Sequence, residues 1–346
     1  MRNAALDRLC FSLMLLVAAP FAQGQGGANE PAAPGVVDAL SRANAAVVGV
    51  QVSAAEGARS ASTLGRERTG SGVVIGPDGL ILTIGYLMLE AQTIQVTTQD
   101  NKTLPARPVA YDLATGFGLI KPVLPLRDVE PVTLGSMQDL RIGEALMAAT
   151  GGQPEGPEAD ANITHLISQR PFSGYWEYHI ESALFTSPPI ENHSGAALFN
   201  QRGELLGIGS LFVGDALGGT RRLPGNMFVP VDLLKPILSE MRQTGSSKSS
   251  HRPWIGLTSS EKGGRVEIVR VSAESPAESA GLKSGDVVLA VDGTTVASLE
   301  AFYKKLWDRA QPESDVSLTV LQGAEIKTIV LRAVDRMSTM RQAESI

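Results

Sequence analysis

The sequence is poor in the residues that support catalysis and cross-linking. Of its 346 residues one is cysteine, Cys10, and four are histidine, with none before His165. Aromatic residues make up 5% and charged residues 19%. Lys and Arg number 30 against 36 Asp and Glu, a net charge of −6, and no basic run stands out. A chain so balanced lacks the electrostatic footprint of a nucleic-acid binder or of a protein held on an anionic membrane. One cysteine excludes an internal disulfide framework, and no cysteine and histidine spacing suggests a metal site. No cofactor motif is present, so neither metal nor cofactor is expected.

What the chain has instead is 36 Gly and 20 Pro. That balance suits a turn-rich β protein of two or three domains, each long enough to bury a core. Arg2 and Arg8 precede the apolar run Phe11 to Ala19, and small residues follow at Ala22 and Gly24. This pattern reads as a secretory signal over residues 1–24. The run is short for a membrane anchor, the competing reading. Removal of the segment takes Cys10 with it, which suits an exported protein of a bacterial envelope, and the periplasm is the expected compartment. No stable membrane span is expected after removal.

Residues 25–35 read as a flexible lead-in and Val36 to Asn44 as a short helix. The β-branched run Val47 to Val52 reads as a strand, and residues 53–69 as a mobile loop. Residues 72–75 and 80–83 flank Pro77-Asp78-Gly79, a hairpin signature. Thr93 to Thr97 alternates with period two. Further short strands lie over 203–209 and 227–230, a density that indicates a sandwich or barrel. Leu233 to Met241 is helical in pattern, and the polar stretch 244–251 reads as a flexible linker. Past it, strands are expected over 266–271, 287–291, 316–320 and 326–331. A helix over Leu299 to Trp307 places Leu299, Phe302 and Leu306 on one face. The polar tail 336–346 is expected to fray.

Asn192-His193-Ser194-Gly195 reads as a serine-nucleophile turn running into a strand. Thr69 to Ile75, Gly79 to Thr83, Thr115 to Lys121, the Ser194 loop with residues 198–204, and Ser275 to Asp286 together resemble the HtrA/Deg type of protein. The resemblance spans roughly residues 36–335. It implies a mainly β chain: a chymotrypsin-like double six-stranded β-barrel over 36–243, then an α+β PDZ domain over 252–335. It also implies a homo-trimer.

The departures from the family pattern fall on the chemistry. Tyr86 stands at the histidine position and Gly116 at the aspartate position. Asn192 stands at the oxyanion glycine. Asp112 lies four residues from Gly116 and does not simply replace the lost carboxylate. A serine hydroxyl needs a base, and the base needs an orienting group. A phenol with a pKa near ~10 is protonated at neutral pH. Ser194 is therefore a retained nucleophile position with its helpers gone. The rival reading is an active serine endopeptidase in which His179 or His165 serves as a non-standard base.

The C-terminal domain keeps its requirements better. Trp254-Ile255-Gly256-Leu257 resembles the loop whose backbone amides take a peptide's terminal carboxylate, with the peptide added as a strand. The resemblance thus points to a peptide-binding pseudoprotease in envelope protein quality control. It would act as an adaptor, a regulator or a holding factor. Its partners would be peptide C-termini or unfolded segments, and an active HtrA-like relative in a mixed oligomer.

Overall fold

A computed structural model describes residues 34–339 apart from 155, 157, 220 and 221. The expected signal segment, most of the lead-in and the last residues of the tail lie outside the described residues. Helix α1 (Pro34–Ala45) leads into the first barrel. Its strands are β1 (Val47–Ala54), β2 (Glu67–Val74), β3 (Ile81–Ile84), β4 (Ala91–Thr97), β5 (Thr103–Tyr111) and β6 (Phe117–Pro122). They close in the order β1-β2-β3-β6-β5-β4. The hairpin read around Pro77-Asp78-Gly79 pairs Gly72 with Thr83 and Val74 with Ile81. Period-two alternation gives way here to strands buried on both faces, because closure puts one face inside the barrel and the partner barrel covers part of the other. Val47, Val48, Val50, Ile81, Leu82, Phe117 and Leu119 are all buried.

The second barrel contains β7 (Ala145–Thr150), β8 (Asp160–Gly174), β9 (Tyr178–Ser187), β10 (Ala197–Phe199), β11 (Leu205–Val213) and β12 (Gly225–Pro230). It closes as β10-β11-β12-β9-β8-β7. Side chains from both barrels share one core, with Ile84 and Phe117 meeting Tyr178, Phe185 and Phe199 in a single cluster. The two barrels thus form the double barrel expected from sequence.

Four expectations need correction, the last of them at the start of the tail. Residues 53–69 are not a mobile loop. β1 runs to Ala54, and helix α2 (Ala61–Leu64) precedes β2. The buried Arg68 guanidinium ties this segment down by donating to the Gly65 and Leu89 carbonyls at 3.0 and 2.7 Å. Residues 231–244 break into a 3₁₀ turn, Val231–Leu233, and helix α3 (Leu238–Thr244) rather than one helix. Residues 244–251 are not a flexible linker, since Ser246, Ser247 and Ser250 are buried. Ser247 Oγ donates to Asp112 Oδ1 at 2.5 Å, and Ser250 Oγ donates to the same oxygen. A serine-rich stretch looks flexible in sequence, but here its hydroxyls complete the shell of a buried carboxylate, which needs several donors to be tolerated.

The C-terminal domain opens with β13 (Pro253–Trp254), then β14 (Leu257–Lys262), β15 (Arg265–Val271), helix α4 (Pro276–Ser279), β16 (Val287–Val291) and β17 (Thr294–Thr295). Helix α5 (Leu299–Trp307), β18 (Asp315–Gln322), β19 (Glu325–Arg332) and β20 (Val334–Asp335) complete it. The sheet runs β14-β15-β16-β18-β19, which leaves β14 at an edge, and β13 pairs with β20. Ser298 caps α5 by accepting from Ala301 N at 3.1 Å, and Leu299, Phe302, Tyr303 and Leu306 face inward. The start of the tail is ordered too: residues Arg336–Thr339 form a 3₁₀ turn, with the Arg336 guanidinium over the Trp254 ring.

Candidate active site and peptide groove

Ser194 lies between the barrels, on the turn before β10. Its carbonyl accepts from Ser71 N at 2.8 Å, and Gly195 N donates to Gly209 O at 2.8 Å, so strands of both barrels hold the turn. β3 leads directly into a 3₁₀ turn, Gly85–Met88, which carries Tyr86. Leu87 and Met88 are buried beside it. Tyr86 Oη lies 2.7 Å from Ser194 Oγ and 2.9 Å from the Ser210 carbonyl oxygen. A phenol has one proton and a carbonyl can only accept. Whether that proton goes to Ser210 or to Ser194, both hydroxyls stay protonated. Burial pushes the Tyr86 phenol up to about 12, and the hydrogen bond with Ser194 offsets only part of that rise.

None of the four histidines hydrogen-bonds Ser194 among the described contacts. His193 Nδ1 meets the Glu191 carbonyl at 3.0 Å, and burial lowers its pKa. His179 Nδ1 pairs with Ser173 Oγ at 2.9 Å on the β8–β9 hairpin, and its pKa is lowered mainly by burial. His165 is on β8, opposite Ser187 and Ala145. His251 Nδ1 meets Asp335 Oδ2 at 2.6 Å, which joins the ends of the C-terminal domain.

Gly116 has φ +83°, a conformation that costs an L side chain strain even though a Cβ there would only touch Tyr178 Oη at 3.5 Å. Its N–H donates to Asp112 O at 2.7 Å, and its carbonyl accepts from Gly85 N at 2.7 Å. Asp112, the nearest carboxylate in sequence, is fully buried and turned elsewhere. Its Oδ2 accepts from Thr115 N and Thr115 Oγ1 at 2.9 and 2.6 Å, while Oδ1 serves Ser247 and Ser250. Asn192 lines a cleft of about 100 Å³ with Gly70, Gly151, Gln153 and Ser194. It also borders a second cleft of about 330 Å³ edged by Asp160, Asn162 and Pro188.

In the C-terminal domain, Gly256 has φ +89°, and a Cβ on it would lie 2.2 Å from Ser275 Cβ. Only glycine fits this close approach. Its conformation turns successive amides to one side, and the N–H groups of Gly256 and Leu257 converge on Glu177 Oε1 at 3.0 and 2.9 Å. Glu177 belongs to the tip between β8 and β9 and is buried. Burial raises its pKa to about 7, while Arg336 and the amides of Leu257, Gly256 and Ile255 pull it back.

Of the residues singled out from sequence, the structure pairs Tyr86 with Ser194, links Gly116 to Gly85 and sets Asn192 with Ser194 in one cleft. Sequence reasoning did not single out Glu177, Tyr303 or the serine shell of Asp112. A glutamate flanked by Trp176 and Tyr178, at a hairpin tip without the usual turn residues, was the only local signal. His179, Glu181 and Glu300 also gather on this face. The Lys304 ammonium meets both carboxylates at 2.8 and 2.7 Å, so the group is a closed ion network rather than an open set of metal ligands.

The fold and the nucleophile turn define a trypsin-like domain joined to a PDZ domain. Residues 70–208 match the trypsin-like peptidase domain family, and residues 253–332 match the PDZ domain family. The pairing is of the HtrA/DegP type. A probable periplasmic serine endoprotease, DegP-like, from Halomonas elongata is 29% identical over 284 residues, covering 78% of this chain and 57% of that protein. Serine protease PepD from Mycobacterium tuberculosis is 30% identical over 280 residues, covering 74% of this chain and 58% of that protein. The chain thus spans a little over half the length of these curated relatives. Among solved structures, the HtrA-type protease AlgW with a tripeptide matches at TM-score 0.53 and 20% identity, covering 89% of this chain and 98% of that one. The serine endoprotease from Yersinia pestis matches at TM-score 0.53 and 22% identity, covering 87% and 97%. At these identities the structural likeness concerns the fold.

Proposed function

We propose that this chain is an HtrA-like pseudoprotease that binds polypeptide without cleaving it. It takes peptide C-termini or unfolded segments through its PDZ domain, as an adaptor, regulator or holding factor of the bacterial envelope. One observation carries the reading: the Ser194 hydroxyl is paired with a half-buried, neutral phenol, 2.7 Å away, where acyl transfer needs a base. Peptide hydrolysis requires the serine proton to leave as the tetrahedral intermediate forms. A phenol whose pKa burial has raised to about 12 does not take it at neutral pH. A scaffold without its triad partners retains about 10³–10⁴-fold over water, too little for useful proteolysis. A periplasmic site and a trimeric state belong to the same proposal.

A second reading, an active endopeptidase, is favoured by the names of the curated relatives, which are proteases. The two separate in one experiment. The purified chain is incubated with unfolded casein and with a fluorophosphonate probe, beside Ser194→Ala and Tyr86→His. The proposal expects no cleavage and no labelling above the Ser194→Ala background. Labelling and cleavage that both vanish in Ser194→Ala would sink it.

A further inference from the structure

The tip of the β8–β9 hairpin lies in the PDZ groove. Ser259 N, on the edge strand β14, donates to Tyr175 O at 2.9 Å. Across the groove, Tyr303 on α5 donates from its hydroxyl to Gly174 O at 2.8 Å, and that hydroxyl accepts from Glu177 N at 3.3 Å. The Glu177 side chain then reaches the amides of Gly256 and Leu257. A groove of this kind recognises its ligand by a backbone bond along an edge strand and by amides that collect a carboxylate. The hairpin supplies both parts.

Two further observations mark this contact as more than domain packing. Glu177 has φ +55°, which a non-glycine residue adopts at a cost and which persists where its surroundings impose it. Its second oxygen, Oε2, is buried with no hydrogen-bond partner among the described residues. The residue thus accepts strain and an unsatisfied oxygen while its other oxygen sits in the amide cradle.

We propose that the chain's own hairpin is a built-in ligand of its PDZ domain, with the Glu177 carboxyl standing in for a peptide's terminal carboxylate. A peptide with a free C-terminus then binds only by displacing the hairpin. The occupant fits the cradle chemically and needs no free chain end. The external partner it excludes is a peptide with a free terminal carboxylate, because the loop offers the N–H donors that would take it. This inference rests on the peptide-binding reading above.

The test uses the full chain, a fluorescent ten-residue peptide ending in three valines with a free carboxylate, and the same peptide as its C-terminal amide. Glu177→Ala and Glu177→Gly remove the carboxyl, and the glycine variant also relieves the strain at that position. Both are expected to bind the free-acid peptide at least tenfold more tightly than the wild type. Neither should gain affinity for the amide. Hydrogen exchange at the Gly256 and Leu257 amides should speed up in both variants without peptide and slow again when the acid is added. Equal affinity of wild type and variants would overturn the proposal while leaving peptide binding intact. Binding by none of the proteins would overturn peptide binding itself and the proposal with it.

Discussion

The Tyr86 hydroxyl bridges Ser194 on one barrel turn and the Ser210 carbonyl on β11. Its contribution is then to stability. Tyr86→Phe should cost about 1–2 kcal/mol in urea unfolding, because the Ser210 carbonyl loses a donor and a buried polar group left unmatched is costly. Casein cleavage should not change. Asp112 has a larger role: one carboxylate accepts from Thr115, Ser247 and Ser250. Asp112→Ala should cost on the order of 3 kcal/mol, since several donors lose a charged acceptor together. Hydrogen exchange should show residues 246–250 opening in that variant, and an unchanged pattern would count against this account.

Among the elements, the β8–β9 hairpin decides most. Its strands close the second barrel, yet its tip acts in the PDZ domain. Glu177 titrates near 7 when docked against an ordinary value of 4.5, so the docked state binds a proton that the released state lets go. Docking is therefore at full strength below about 4.5, weakens as pH rises through about 7, and is constant above that. The groups that act on the carboxyl are the Arg336 guanidinium, which opposes the rise, and the Tyr303 hydroxyl, whose own pKa the carboxylate helps to raise. Across this window the docked state should lose roughly 1.4 kcal/mol per unit of pKa difference. Exchange protection of Gly256 and Leu257 should fall between pH 5 and pH 8 in the wild type. It should stay level in Glu177→Gln, which keeps the shape without the charge, and a wild type as flat as this variant would refute the assignment.

At the scale of the molecule, the barrels and the PDZ domain are joined by two kinds of contact. Buried ones dominate: the Asp112 shell, the Glu177 cradle and the Tyr303 bond. The Arg59–Glu274 pair is exposed on both sides, 66% and 74%, and such pairs contribute at most about 1 kcal/mol. Calorimetry at pH 6 should give one cooperative transition for the chain. Glu177→Lys, which places an ammonium against backbone donors, should split it and release the PDZ domain at a lower temperature. Arg59→Ala should leave the single transition in place, with a shift within about 1 kcal/mol.

The sequence by itself determined the two domains, most of their strands, the core face of α5, and the chemical types at positions 86, 116, 192 and 194. These depend on local chemistry: β-branched runs, turn residues and side-chain periodicity act over a few neighbours. Tertiary structure alone decided what those groups meet. Tyr86 finds Ser194 across 108 positions, Glu177 finds Gly256 across 79, and Ser247 finds Asp112 across 135. A serine-rich stretch and a glutamate between aromatics look solvated until packing between distant segments buries the carboxylates they serve or carry. A buried carboxylate must then find donors wherever the fold brings them.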